Sequence, residues 1–331
     1  GCDTSKVVYS GVGKTSDEIR KALACDIGQI NAESQAEVAA ISAIAQEMNL
    51  LAPVALRVNV DVSPSTHAKI STGERNTKFG VSTKQSEARD IYQQMAEDPH
   101  ISPAGLAVHI GSQICDLGPF ERAYSALLAL AVELRDAGLP VPNLDLGGGI
   151  GIDYDTARPT DFTEYGLLVQ RLFAGQGFSL GFEPGRSIIA NNGALVTRVI
   201  YVKQGAKKRF IIVDAAMNDL LRPTLYEAHH AIWTLDEPGI STTKADIVGP
   251  VCETGDYLGL DRDMPDLSAG DGLVILSAGA YGAVMASNYN SRSPAAEVMV
   301  VDGTTHLLRA ARPIAEYIDE EMIPSFVDIS E

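Results

Sequence analysis

The sequence has little of what binds nucleic acid, crosses a membrane or forms disulfides. Lysine and arginine number 26 against 43 acidic residues, a net charge of -17. Such a surface repels phosphate backbones, so no nucleic-acid partner is expected. No apolar run is long enough to span a bilayer, and no membrane association is expected. The four cysteines are scattered without metal-binding spacing, which predicts reduced thiols, a cytoplasmic location and no metal site.

The stretch VVYSGVGKTSDEI (7–19) has the outline of a nucleotide-binding loop but lacks one of its glycines. A β-branched run is followed by Gly-Lys-Thr at 13–15 and then by a helical pattern. A P-loop requires a glycine five positions before this triplet's glycine, and that position holds Val8. The stretch is therefore predicted to be a strand and the turn into a helix capped by Thr15 or Ser16. The role of its lysine stays open.

Short β-rich runs alternate with amphipathic stretches in the first part of the chain. The predicted strands are 7–10, 28–32, 54–59, 105–110, 143–148 and 179–183, and the predicted helices include 34–48, 119–138 and 162–175. Repeated strand–helix–strand units indicate parallel strands joined by crossovers. Most of these strands end in a polar residue or glycine, which favours a (β/α)8 barrel over a doubly wound sheet, because a barrel gathers functional residues from many strand ends.

The number of predicted strands is two short of the eight that a barrel needs. Residues 1–195 are therefore predicted to form an incomplete (β/α)8 barrel with strands three to eight present, and two further units are expected upstream of Gly1. Residues 196–331 change to β-rich runs separated by turn residues, without long helices until the end. This part is predicted to be an antiparallel β domain.

Glycine-rich segments after the last two barrel strands indicate a phosphate site. Gly148 and Gly149 lie in LDLGGGIGI, where the lack of side chains lets backbone N–H groups approach an anion. Gly185 and Arg186 follow the next strand in EPGR, and the arginine adds a fork of donors. Phosphate sites after strands seven and eight are frequent in such barrels. A mobile turn is the alternative interpretation of the glycines.

Other candidate residues have both a functional and a structural interpretation. Glu183, at a strand end, is placed to hydrogen-bond a protonated ring nitrogen, or to pair with Arg186. His109, also at a strand end, is either structural or part of the same rim. In the β domain, Arg222 is either a ligand-binding or a solvated charge. Cys252, beside two carboxylates in a segment that reads as buried, is either reactive or a small core residue.

Together these segments resemble the fold-type III pyridoxal-phosphate-dependent decarboxylases over the whole chain. The resemblance rests on nine motifs in order: SGVGKT (10–15), INAES (30–34), STGERNTKFG (71–80), HIGSQI (109–114), LDLGGGIGI (144–152), EPGRSI (183–188), RPTLY (222–226), GPVCETGD (249–256) and GAYGAVMASNYNSR (279–292). Each motif is weak alone, but nine in order are specific. The resemblance implies a barrel plus a β domain, pyridoxal 5′-phosphate as cofactor, and decarboxylation of meso-diaminopimelate to lysine by a homodimer with shared active sites.

The resemblance also implies roles for single residues. His109 would stack on the cofactor ring, and Glu183 would pair with the pyridine nitrogen and keep it protonated. Cys252 would donate a proton after decarboxylation in the active site of the other subunit. The cofactor phosphate would be surrounded by Ser112, Gly148, Gly149, Gly185, Arg186 and Tyr281. The substrate would contact Arg186, Tyr281, Arg222 and Tyr226 (the last two at its distal carboxylate) and Glu253 (at its distal ammonium).

The chain departs from the family pattern in one respect, because it contains no YAxKAN-type segment with the Schiff-base lysine. Lys14 does not replace it, since it belongs to a motif two strands later. We therefore expect an N-terminal truncation that is inactive as it stands, with the activity belonging to the complete protein. The alternatives are a decarboxylase of ornithine, arginine or carboxynorspermidine, and a non-catalytic regulatory homologue. STGERNTKFG, Arg222 and CETGD favour diaminopimelate, and the retained cofactor-side residues argue against the regulator.

Overall fold

The computed structural model describes residues 1–64, 72–73, 77–84, 86–156, 160–236 and 242–324. The described chain divides into two compact units. The first comprises Gly1–Gly151 and Thr160–Ser187, and the second holds the remaining described residues. The domain boundary predicted between residues 195 and 196 stays a prediction. Positions 71 and 74–76 of the motif STGERNTKFG lie outside the described residues.

The first unit alternates strands and helices, as its hydrophobic periodicity predicts. Its strands are β1 (Val8–Tyr9), β2 (Gln29–Ala32), β3 (Ala52–Asn59), β4 (Val81–Ser82), β5 (Ile101–Ala107), β6 (Asn143–Asp145) and β7 (Ser179–Gly181). Its helices are α1 (Ser16–Ala24), α2 (Gln35–Met48), α3 (Glu87–Glu97), α4 (Leu117–Asp136) and α5 (Thr163–Phe173), and α6 (Arg186–Ile189) begins where this unit ends. The sequence analysis did not predict β4 or α3.

The strands of the first unit form one parallel sheet. In the described part of the chain the order is β1-β2-β3-β5-β6-β7, with β4 beside β3, and every pair is parallel. The prediction of an incomplete barrel is thus confirmed, since these strands form a parallel half-barrel. Because all strands run the same way, their carboxyl ends lie at one rim, which is where such folds carry their chemistry.

The core of the first unit supports this rim from below. Helix α4 buries Tyr124 against Tyr165 of α5, with the two hydroxyl oxygens 2.8 Å apart. The Tyr124 hydroxyl also donates to the carbonyl oxygen of Leu146 at 3.1 Å. Helix α4 therefore holds, through Tyr124, the backbone immediately before the glycine-rich loop that follows β6.

The turn between β1 and α1 is a helix cap and not a phosphate loop. The Thr15 hydroxyl accepts the N–H of Glu18, and the Glu18 carboxylate accepts the N–H of Thr15. This reciprocal pair is a capping box, and it confirms Thr15 as the cap among the two predicted candidates.

The lysine of the same turn has a structural role. The Lys14 side chain is 1% exposed, and its ammonium donates to the carbonyl oxygens of Gly11 at 2.6 Å and Asn31 at 2.7 Å and to the Glu37 carboxylate at 2.9 Å. An ammonium has three hydrogens, and these acceptors use all of them. Lys14 therefore joins the ends of β1 and β2 to α2 and has no donor left for a nucleotide phosphate.

The second unit is a mixed β structure. Its strands are β8 (Leu195–Gln204), β9 (Arg209–Val213), β10 (Ile232–Thr234), β11 (Thr242–Val248), β12 (Tyr257–Pro265), β13 (Gly272–Ile275), β14 (Glu297–Val301) and β15 (Thr304–Arg309), and its helices are α7 (Arg222–Tyr226) and α8 (Ile314–Asp319). The main sheet has the order β10-β13-β8-β9-β11-β12, and β14 and β15 form a separate hairpin. The sequence analysis did not predict β10 and β12.

The antiparallel prediction for this unit holds for every described pair but one. Strands β9 and β11 run parallel. A parallel pair needs a long crossover connection, and the chain between them, which includes α7 and β10, supplies it. Across the described residues, no helix combines the length and the apolar character that crossing a bilayer requires, and no group of acidic, histidine and cysteine side chains is arranged to hold a metal ion.

Candidate active site

The loops after β5, β6 and β7 are joined directly at the rim of the first unit. The N–H of Gly148 donates to Nδ1 of His109 at 3.3 Å. The N–H of Glu183 donates to the carbonyl oxygen of Gly147 at 2.8 Å. The structure therefore brings the predicted histidine, glycines and glutamate together, although they lie far apart in the sequence.

The glycines of the β6 loop are required by the backbone and by packing. Gly147 and Gly149 have φ values of +67° and +103°, which favour glycine. A Cβ on Gly148 would lie 2.1 Å from the carbonyl oxygen of Glu183. Gly185 differs, because a Cβ there would meet nothing within 4 Å. The open space at Gly185 fits an anion bound beside the start of α6 better than a need for close packing.

Replacement of Gly148 by alanine is expected to lower the free energy of unfolding by about 2 kcal/mol or more, because the new methyl overlaps backbone atoms. Gly166→Ala is the matched control, since Gly166 lies inside α5 and a Cβ there meets nothing within 4 Å. It is expected to stabilise the protein by about 0.5–1 kcal/mol. Denaturant unfolding measures both, and equal stability of the two variants would contradict the packing argument.

Arg186 provides a buried cation beside this space. The residue is 5% exposed, and its Nε and Nη2 groups donate to the Ser112 hydroxyl at 3.2 and 3.0 Å. The hydroxyl of the adjacent Ser187 is buried and has no hydrogen-bond partner among the described residues. Buried polar atoms normally have partners, so this hydroxyl indicates a place for a polar ligand. Its position in EPGRSI was the only sequence signal for Ser187.

Burial shifts the pKa of Glu183 and that of His109 in opposite directions, and each shift favours the neutral form of the group. The Glu183 carboxylate accepts the Ser10 hydroxyl at 2.9 Å. Burial and then the neighbouring Asp145 raise its pKa, against the lowering effects of Ser10 and Arg57. Burial, with Arg57 nearby, lowers the pKa of His109 to about 4. The imidazole is therefore neutral near pH 7, and its Nδ1 acts as an acceptor, which places the proton on Nε2.

Several buried polar residues of this rim were given no role by the sequence analysis. Arg57 donates to the Glu33 carboxylate at 2.6 Å, and both side chains are at least nine-tenths buried. The other Glu33 oxygen accepts the N–H of Gly80 at 2.9 Å. A second buried set contains Asn31 and Asp145. The sequence signal for these residues was a charged or amide side chain inside an apolar strand. Such side chains are rarely buried without a partner, so each one indicates a buried polar contact.

Arg222 of the second unit is a buried, tightly held cation. It is 4% exposed, and its Nη1 lies 2.7 Å from Nε2 of His230. Its guanidinium stacks over the ring of Tyr154 at 4.5 Å. Burial lowers the pKa of His230 to about 4, so the ring is neutral and accepts from Arg222 while Nδ1 donates to the Leu276 carbonyl oxygen at 2.8 Å. The interpretation of Arg222 as a solvated loop charge is excluded.

The buried interpretation of CETGD is wrong for its first three residues. Cys252, Glu253 and Thr254 are exposed, and the Tyr289 hydroxyl donates to Glu253 at 2.8 Å. Asp256 is the buried residue, because its carboxylate accepts two buried backbone N–H groups. The thiol therefore does not serve as a small core residue.

Two predicted tyrosines also lie in the second unit. Tyr226 is half-buried at the end of α7. Tyr281 is 42% exposed and has a left-handed φ of +56°, a conformation that is uncommon for a bulky residue and is worth noting at a candidate site. Their proposed contacts with cofactor and substrate stay predictions.

The lowered pKa values of His109 and His230 are expected to make stability pH-dependent. Their folded-state pKa of about 4 lies below the ordinary 6.5, so between these values the unfolded chain binds protons that the folded chain does not. The stabilisation is complete above pH 6.5 and is lost as the pH falls towards 4. His230→Gln should therefore make the free energy of unfolding fall less steeply in this window. Denaturant titrations at a series of pH values measure the slope, and an unchanged slope would contradict this assignment.

Comparison with known proteins places this architecture in one class. A family model described as "Pyridoxal-dependent decarboxylase, pyridoxal binding domain" matches residues 1–190. Diaminopimelate decarboxylase of Zymomonas mobilis is 46% identical over 323 residues, covering 97% of this chain and 76% of that protein. The Pseudomonas aeruginosa enzyme is 45% identical over 325 residues, covering 98% and 78%.

Solved structures agree with the sequence comparison. The Helicobacter pylori diaminopimelate decarboxylase complexed with L-lysine has a TM-score of 0.90 and 37% identity, covering 96% of this chain and 79% of that one. The M. jannaschii enzyme in co-complex with L-lysine has a TM-score of 0.88 and 32% identity, covering 97% and 75%. The half-barrel, its rim and the separate mixed sheet are those of a pyridoxal-dependent decarboxylase. Within that class, the chain belongs to the diaminopimelate decarboxylase family.

Proposed function

We propose that the protein catalyses the pyridoxal-phosphate-dependent decarboxylation of meso-diaminopimelate to L-lysine and carbon dioxide, the last step of lysine biosynthesis. The observation that carries the proposal is one rim on which the buried guanidinium of Arg186 and the half-buried carboxylate of Glu183 lie beside the glycine-rich loop that follows β6. Family membership and the lysine complexes of related enzymes support it.

The residues of the rim fit the cofactor. The open space at Gly185, the guanidinium of Arg186 and the partnerless hydroxyl of Ser187 suit a phosphate group. We assign the phosphate to Ser112, Gly148, Gly149, Gly185, Arg186 and Tyr281. His109, as a neutral ring, stacks on the pyridine, and Glu183 accepts a hydrogen bond from the ring nitrogen. Bound pyridoxal phosphate supplies an electron sink for the charge left when carbon dioxide departs.

The second unit supplies the substrate contacts in this proposal. Arg222 and Tyr226 bind the distal carboxylate of diaminopimelate, with Arg186 and Tyr281 as further contacts, and Glu253 binds the distal ammonium. Arg222 suits this role because His230 and Tyr154 fix its guanidinium before substrate arrives. A substrate without the distal groups would forgo these charged contacts, and the loss lowers its kcat/KM relative to diaminopimelate. We accordingly propose residues 1–195 as the cofactor part and 196–331 as the part with substrate and dimer contacts.

An assay with several amino acids tests the function. The protein expressed from its complete reading frame is mixed with pyridoxal phosphate, and carbon dioxide release is measured with diaminopimelate, ornithine, arginine and carboxynorspermidine. Release from diaminopimelate alone, with lysine as the second product, is expected. Release from ornithine, arginine or carboxynorspermidine but not from diaminopimelate would replace the substrate assignment, and cofactor binding without release from any of them would favour a regulatory homologue.

We further propose a cytoplasmic homodimer in which each active site receives Cys252 and Glu253 from the partner. The exposure of both side chains supports this placement, since only an exposed group can reach the active site of a partner chain. The acidic composition and scattered cysteines support the location.

Mixing two inactive variants tests the shared site. Cys252→Ala is expected to cut turnover sharply while the bound cofactor keeps its absorbance, and Arg186→Ala is expected to be inactive because it does not retain the cofactor. If the sites are shared, dissociation and remixing should restore about one quarter of wild-type activity, because half of the dimers then contain one intact site. Remixed protein without activity would show that the thiol and the guanidinium act within one chain.

A further inference from the structure

Four side chains form a hydrogen-bonded chain across the rim of the first unit. Asp145, at the end of β6, accepts from the Asn31 amide of β2 at 2.9 Å. The same amide donates to the Ser10 hydroxyl, which follows β1, at 2.9 Å. Ser10 then donates to Glu183, which follows β7, at 2.9 Å. We call these four residues the crossbar.

The crossbar joins parts of the sheet that the backbone leaves apart. In the described sheet β1 and β7 are the two outer strands, so the bond from Ser10 to Glu183 links opposite edges. Asn31 is 1% exposed and Asp145 is 3% exposed. Buried polar groups at these positions need to be satisfied by one another, and in the crossbar they are.

The direction of every hydrogen bond in the crossbar is fixed. A carboxylate only accepts, so the Asn31 atom facing Asp145 must be the amide nitrogen, and its other hydrogen goes to the oxygen of Ser10. The Asn31 oxygen accepts from the Gln29 amide at 2.7 Å. Ser10 has one hydrogen, and with its oxygen already accepting, that hydrogen points to Glu183.

The backbone that carries the crossbar is also anchored. Lys14 donates to the carbonyl oxygens of Gly11 and Asn31. Gly11 follows Ser10 directly in the chain, and Asn31 is itself part of the crossbar. Asp145 accepts the N–H of Gly147 at 2.9 Å, which ties it to the glycine loop. The crossbar is thus a preformed arrangement, and the buried lysine of the SGVGKT motif is part of its support.

We propose that Ser10 and Asn31 are positioning residues that hold Glu183 against the ring nitrogen of the cofactor and couple it to a second carboxylate, Asp145. This inference rests on the proposed function, which assigns Glu183 to that nitrogen. The Ser10 hydroxyl stabilises the charged form of Glu183 and so leaves the shared proton on the ring. Asp145 adds negative charge behind Glu183 and so raises the affinity of the whole pair for that proton.

Removal of the Ser10 hydroxyl and removal of the Asp145 charge are expected to affect the ring proton differently, given the other charges around Glu183. Arg57 opposes the negative charges of Asp145 and Glu33, and burial favours the neutral acid. Removing the Ser10 hydroxyl therefore moves the proton from the ring towards Glu183. Removing the Asp145 charge leaves the proton on the ring but lets it depart at a lower pH.

Spectroscopy of the holoenzyme tests this. In the complete protein loaded with cofactor labelled at the ring nitrogen, Ser10→Ala is expected to move the NMR signal of that nitrogen towards its neutral position and to lower kcat about tenfold, a change of about one pKa unit in proton affinity. Ser10→Thr, which keeps the hydroxyl, should restore both. Asp145→Asn should keep the ring nitrogen protonated at neutral pH. The midpoint pH at which this nitrogen loses its proton should lie about one unit below that of the wild type. Ser125→Ala, at an exposed site in α4, should match the wild type.

The outcomes separate this inference from the proposed function. If Glu183→Gln changes the nitrogen signal but neither Ser10→Ala nor Asp145→Asn does, the crossbar is only structural and the inference is overturned. If Glu183→Gln itself leaves the signal unchanged, the assignment of Glu183 to the ring nitrogen fails. Should Ser10→Ala not fold, Asp145→Asn, which keeps an oxygen for the Gly147 N–H but gives up both the charge and the bond from Asn31, decides alone.

Discussion

Arg222→Gln is expected to lower kcat/KM for diaminopimelate by about a thousandfold, because a buried guanidinium that pairs with a substrate carboxylate contributes about 4 kcal/mol. The side chain is 4% exposed and is held by His230 and by the ring of Tyr154. Its fixed orientation means that little entropy is lost when a carboxylate docks. The effect should therefore exceed that of removing a mobile surface arginine.

Lysine is expected to be a poor substitute at this position. An ammonium has neither the planar fork nor the stacking surface of a guanidinium, and both are used by Arg222. Arg222→Lys should thus lose most of the activity although the charge is kept. Arg198→Gln, at an exposed position of β8, is the matched control and should stay within about twofold of wild type.

Steady-state kinetics and cofactor absorbance measure the outcome together. The cofactor spectrum of Arg222→Gln should equal that of the wild type, since the phosphate residues are assigned to the first unit apart from Tyr281. Wild-type kinetics in this variant would show that another group binds the distal carboxylate. Loss of cofactor together with activity would instead indicate a fault in folding, which thermal unfolding detects.

The first unit was predictable because its signals are local. Apolar periodicity marks the helices, and glycine or polar residues mark the strand ends, so the parallel half-barrel and the gathering of His109, Gly148 and Glu183 followed from sequence. The crossbar did not follow, because the bond from Ser10 to Glu183 spans nearly the whole unit and depends on the curvature of the sheet. The role of the lysine of SGVGKT stayed open because a motif shows residue types but not whether their donors are already used.

The second unit was less predictable for a different reason. Strand β12 carries the charged run Asp261, Arg262 and Asp263, which reads as a loop, yet the strand lies at an edge of the sheet where charged residues are tolerated. The parallel pair β9 and β11 depends on a crossover that pattern alone does not reveal. Exposure of Cys252 was misjudged because the buried member of its motif is Asp256, four residues later.

Arg186→Ala is expected to weaken cofactor binding by about a hundredfold or more, since a charge-assisted pair between a guanidinium and a phosphate contributes about 3 kcal/mol in a desolvated site. The guanidinium is buried and oriented by two hydrogen bonds to Ser112, so it is aimed before the phosphate arrives. Arg186→Lys should recover only part of the loss, because a single ammonium cannot bond Ser112 and the phosphate in the same geometry.

Fluorescence or absorbance titration with pyridoxal phosphate gives the dissociation constant, and competition by inorganic phosphate isolates the contribution of the phosphate group. Arg171→Ala is the control, because Arg171 lies on the exposed face of α5 in a surface ion pair with Glu121 and such pairs contribute little. In Arg186→Ala, pyridoxal without its phosphate should bind as it does to the wild type, since only the phosphate contact is removed. Equal loss of affinity for pyridoxal and pyridoxal phosphate would mean that Arg186 supports the rim as a whole, and an unchanged dissociation constant would remove the guanidinium from the phosphate site.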